Sequence, residues 1–158
     1  MDWISLLRWL HMIGATVLLG TGAGIAFFML MAHRTKDVAL IAHTARIVVI
    51  ADYIFTASAV IAQPVTGYLL ASAIGWSLTE GWLLLSLVLY GVTGALWLPV
   101  VFMQKRMGAL AKKALSDGGG LPAEYFKLFR RWFAFGVPAF LAVLTILWLM
   151  TNRPVFGF

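Results

Sequence analysis

The chain has no cysteine, which excludes disulfides, iron–sulfur clusters and thiolate metal sites. Charge is scarce. Only 6 of 158 residues are acidic and 11% are charged in all, about half the share that surrounds an ordinary soluble domain. No nucleophile–histidine–acid arrangement, zinc motif or dinucleotide fingerprint occurs in it. The glycine-rich stretch "GTGAG", from Gly20 to Gly24, continues an apolar helical run and follows no strand. It is therefore not a phosphate cradle.

What remains is overwhelmingly apolar: 62% of the residues are hydrophobic. A hydrocarbon core of about 30 Å takes about 20 apolar residues per helical crossing. The chain holds four such runs, expected as helices over about 3–32, 38–71, 82–113 and 123–151. The polar stretches "HRTKD", "SAIGWSLTEG" and "SDGGGLP" separate them, and Asp37 stands where a helix N-cap belongs. Pro64, Pro99 and Pro138 fall inside three of the runs, where a missing backbone donor should kink the helix. The expected fold is an all-α integral membrane protein, a single-domain, up-and-down bundle of four transmembrane helices. Residues 1–5 lack a basic leader and the apolar run after them is long, so the first segment is expected to be retained.

The basic residues mark topology and do not form a nucleic-acid face. Arg34, Lys36 and Arg46 flank the first connection, and Lys105, Arg106, Lys112, Lys113, Lys127, Arg130 and Arg131 flank the third, against only Arg8 and Arg153 on the opposite side. By the positive-inside rule both termini are periplasmic and the basic connections cytoplasmic. Trp3, Trp9, Trp76, Trp82 and Trp148 then gather at the outer boundary as an aromatic belt. "GIAFFMLMAHRTKDVALIA" from Gly24 also lies over "GALWLPVVFMQKRMGALAK" from Gly94, the pattern a parallel two-hairpin repeat would leave.

Ionisable groups in a membrane segment cost about 3 kcal/mol or more, which makes each a functional hypothesis. Asp52, Thr56 and Gln63 share one stripe of the second helix. Asp52 is either buried glue, ion-paired with a group such as Arg131, or a carboxylate for proton handling or for orienting a ligand histidine. His11 has Arg8 one turn before it. It is either a hydrogen-bonded interfacial histidine or an axial haem ligand whose propionate meets Arg8. His33 and His43 flank a short turn, with Arg46 close by, and either face water or approach each other at a cytoplasmic metal or haem site. Met29, Met103 and Met107 near that boundary are either packing or soft ligands that suit copper. His11 and His33, 22 residues apart, stand about 33 Å apart along a helix and cannot share one iron. Gly20, Gly22 and Gly24 either bring helices close or leave a flat face for a porphyrin.

"LRWLHMIG", "ARIVVIADYIFTASAVIAQPVTG", "LYGVTGALWLPVVFMQKRM" and "RRWFAFGVPAF" together resemble the bacterial predicted-membrane family catalogued as domain of unknown function 2269. More distantly, the "LHMIG" layout of the first helix is similar to HemJ-like protoporphyrinogen oxidases and CopD-like copper-resistance proteins. That likeness implies haem on His11, the matching "LH" position. It does not extend to "GIAFFML", where HemJ-like chains are basic and aromatic, nor to an intramembrane lysine near Trp97. The expectation is a b-type haem-binding redox or electron-transfer protein of the bacterial inner membrane, acting as a haem-dependent oxidoreductase on a quinone or porphyrin. The alternatives are copper transport through Met29, His33, Met103 and Met107, or a cofactor-free accessory subunit. Its partners would be the lipid bilayer and either further copies of itself or a larger membrane complex.

Overall fold

The computed structural model describes residues 2–156. Four helices make up the fold: α1 (Trp3–Thr35), α2 (Val38–Ile74), α3 (Gly81–Ser116) and α4 (Ala123–Asn152). Among the described residues there is no strand. All four helices are long and apolar enough to cross a membrane.

The ends of the helices follow local chemistry. Asp2 caps α1 by accepting a hydrogen bond from the Ser5 amide at 2.7 Å, which holds its carboxyl below the usual carboxylate range. Nothing in "HRT" stops a helix, so α1 runs past the expected residue 32 to Thr35 and ends where Lys36 turns left-handed at φ 60°. Asp37 caps α2 as expected, its Oδ1 accepting from the amides of Ala39 and Leu40 at 2.8 and 3.1 Å. Gly75, at φ 85°, closes α2.

Proline does not break α2. The helix continues through Pro64, and its irregularity is a π-helical turn over Asp52–Thr56, three turns earlier. Pro64 leaves the Val60 carbonyl without a helical donor. The Tyr90 hydroxyl of α3 supplies one at 2.6 Å.

The bundle pairs α1 with α2 and α3 with α4, while the first half of α2 also packs on α3. Contact between α1 and α4 is sparse. One apolar cluster fills the basic end, built around Met29, Ile41, Met107, Tyr125, Phe129 and Trp132. A smaller one of Ala71, Trp82, Leu83 and Leu149 closes the other end. Between them the middle of the bundle is hollow.

The glycines explain part of that hollow. A Cβ at Gly20, Gly22 or Gly24 would meet nothing within 4 Å, so "GTGAG" does not seat a neighbouring helix. Close approach between α1 and α2 occurs at two other glycines. A Cβ at Gly14 would stand 2.5 Å from the Gln63 amide nitrogen, and one at Gly67 would stand 3.0 Å from the His11 ring.

Candidate functional site

The hollow is a cavity of about 470 Å³ bounded by all four helices. Its walls are mainly apolar. Gly22, Ala23 and Ala26 of α1 give it one smooth wall, and Phe133, Val137 and Phe140 of α4 border the other side of the loose α1–α4 seam.

Polar side chains enter it from α2, α3 and α4. The π turn carries Asp52 and Thr56, both buried, into the cavity. Such turns recur at functional sites because they re-aim side chains within an otherwise regular helix. Gln63 lies farther along the same stripe. From α3 come Tyr90, Thr93, Trp97 and Gln104, spaced by three, four and seven residues and therefore on one helical face. Trp132 arrives from α4.

The hydrogen bonds within this set are incomplete. The Trp97 indole donates to Asp52 Oδ1 over a long 3.4 Å. The Trp132 indole donates to Gln104 Oε1 at 3.0 Å. Gln104 is only 1% exposed, yet among the described residues its Nε2 has no partner. The buried Thr56 hydroxyl faces the Asp52 carboxylate one turn before it and makes no close hydrogen bond. A buried donor left unpaired costs about 1–3 kcal/mol. A molecule in the cavity that accepts a hydrogen bond from Gln104 would remove that cost. Asp52 offers an acceptor on the same cavity wall.

Asp52 does not pair with Arg131. Arg131 is exposed, because its neighbour Trp132 turns into the core and the next residue of a helix points about 100° away. The ion pair among the described residues joins Arg106 and Glu124, at 2.9 Å on the surface.

His11 lies outside the cavity wall, one turn before Ala15, which lines it. Its Nδ1 stands 3.0 Å from Thr66 Oγ1, and its backbone carbonyl accepts from the Gln63 amide at 2.8 Å. Thr66 Oγ1 donates in turn to the Ala62 carbonyl at 2.8 Å. With that proton committed, the arrangement that satisfies both groups has Nδ1–H donating to Thr66, leaving a lone pair on Nε2. Arg8, one turn earlier, is exposed.

His33 faces α4, stacked on Phe129 at 3.7 Å and 7°, with the Tyr125 hydroxyl 3.4 Å from its Nδ1. His43 and Arg46 lie on the exposed side of α2, because Ile41, Ala45 and Val48 form its buried face. The two histidines of the first turn are thus directed apart. Met29 and Met107 are completely buried in the apolar cluster, with Met103 packed against it. Among the described residues no three His, Asp or Glu side chains gather closely enough to hold a metal ion.

Tyr90, Gln104 and Trp132 were not anticipated from the sequence. The polar spacing of α3 carries the signal for the first two, but Gln104 sits in "MQKR" and reads there as an interfacial residue.

No curated protein and no solved structure matches the chain. A family described as "Predicted integral membrane protein (DUF2269)" matches residues 5–154. The match spans nearly the whole four-helix bundle, and the chain belongs to that family of integral membrane proteins.

Proposed function

We propose that this chain is a membrane-embedded binding protein for a planar, lipid-soluble carbonyl compound of the quinone class, held in the central cavity. The observation that carries the reading is Gln104, a completely buried amide with a free donor on the wall of the cavity that Thr56 and Asp52 also line. A quinone carbonyl accepts from Gln104. The hydroxyl of the reduced form donates to Asp52. The indoles of Trp97 and Trp132 flank the ring, and the smooth α1 wall takes its other face. Access is from the bilayer through the α1–α4 seam. The protein sits in the bacterial inner membrane with both termini periplasmic, on the placement of its lysines and arginines.

The test is tryptophan fluorescence of the purified protein titrated with decylubiquinone. Saturable quenching is expected, with loss of the saturable part in Gln104→Leu and in Gly22→Leu, which fills the cavity. Quenching that never saturates, or that both variants retain, refutes the reading.

A second reading, haem b on His11, is favoured by the anchored Nδ1 and the Nε2 lone pair it leaves, the usual arrangement of a ligating histidine. Haem there would supply one-electron redox chemistry, with Arg8 serving a propionate. An absorbance spectrum of protein from haem-sufficient cells, oxidised and then reduced, tests it. A Soret band that His11→Ala abolishes supports the reading, and a colourless protein retires it.

A further inference from the structure

A second concavity, about 630 Å³, lies at the basic end of the bundle, between the α1–α2 turn and the α3–α4 connection. His33, Arg34 and Lys36 line one part of it, and Val38, Leu121 and Phe126 another. Among the described residues no carboxylate lines it. The nearest in sequence, Asp37, is occupied in capping α2 through Oδ1. Glu124, at the start of α4, is paired with Arg106. Neither Arg34 nor Lys36 has an ion-pair partner among the described residues.

We propose that this pocket binds the phosphate of an anionic phospholipid. Its position at the helix ends is the depth of the headgroups, since α1, at 33 residues, is about 50 Å long and outreaches the hydrocarbon core. Basic pockets between helices at that depth suit anionic headgroups. Two observations favour a lipid over a free anion. The pocket joins two fixed cations to an apolar wall, which a free phosphate would leave unused. Phe126 is 44% exposed on that wall, placed to meet the first carbons of an acyl chain. The geometry of the turn contributes too. Lys36 is left-handed, and the chain reverses there within two residues, which keeps Arg34 and Lys36 on the rim of one pocket.

Native mass spectrometry of the whole protein, with phosphatidylglycerol and phosphatidylcholine of equal chain length in competition, tests the proposal. Two surface cations predict a preference of about thirtyfold for phosphatidylglycerol. The variant Arg34→Gln/Lys36→Asn should abolish it, asparagine being chosen because it tolerates the left-handed backbone. The single variant Arg34→Gln, in regular helix, should lower the preference on its own and guards against misfolding of the double variant. Lys112→Gln/Lys113→Gln removes the same charge elsewhere and should change nothing. Excess inorganic phosphate should leave the lipid bound. An unchanged preference in both pocket variants, an equal loss in the lysine control, or displacement by inorganic phosphate overturns the proposal, the last by assigning the site to the free anion.

Discussion

The Tyr90 hydroxyl stands 2.6 Å from the backbone carbonyl of Val60, the carbonyl that Pro64 leaves without its helical donor. A side chain of α3 thereby completes the backbone of α2 in the middle of the bundle, at the edge of the cavity. In a bilayer no water reaches such a group, so the partner must come from the protein.

Tyr90→Phe should therefore lower stability by about 1–3 kcal/mol, the range for an unpaired buried acceptor. Pro64→Ala restores a helical donor to Val60. In that background the tyrosine substitution should cost much less. Thermal unfolding of the four proteins in detergent measures the coupling, and additive effects would show that the tyrosine does not stand in for the donor that Pro64 lacks.

Two glycines of one helix should respond in opposite ways. Gly14→Ala presses a methyl group into the Gln63 amide, disturbs its bond to the His11 carbonyl and should destabilise by about 1–3 kcal/mol, the range for overpacking. Gly24→Ala meets open space and should be neutral or stabilising by up to about 1 kcal/mol through helix propensity. Unfolding midpoints of the two variants decide it.

Asp52→Asn keeps an oxygen in place to accept from Trp97 and should shift stability by less than about 1 kcal/mol. On the proposed function it removes the carboxylate that accepts from the reduced ligand. Affinity for the quinol form should fall while that for the quinone changes little. Unchanged affinity for both forms would place Asp52 outside the headgroup site, and equal loss for both would refute its role as acceptor from the reduced form.

Topology can be read directly because the native chain has no cysteine. On the proposed orientation, Ser5→Cys should react with a membrane-impermeant maleimide added to spheroplasts. Ser116→Cys should react only after lysis. The opposite pattern would invert the bundle.

Much of the architecture is legible in the residue order. Four apolar runs of sufficient length, Asp37 at an N-cap and the breaker "SDGGGLP" are local signals, and each operates within one helix or turn. The helix ends extend by up to three residues because stop signals act on single residues, as Lys36 does for α1. The inward stripe of Asp52, Thr56 and Gln63 follows from helical spacing. The matching stripe of Tyr90, Thr93, Trp97 and Gln104 has the same spacing but is partly aromatic, and aromatic residues are also what lipid-facing helices carry.

The sequence by itself determined that this chain spans a membrane as four helices, because hydropathy and length act along the chain. Which side chains meet was decided only in three dimensions. Asp52 finds Trp97 rather than Arg131, His33 turns to Phe129 rather than His43, and the glycines of "GTGAG" border space rather than a helix. Each outcome depends on how one helix is rotated against another, and that rotation is set by packing between residues far apart in the chain. The cavity is the clearest case. No segment contains it, and it exists because two well-packed ends hold four helices apart in the middle.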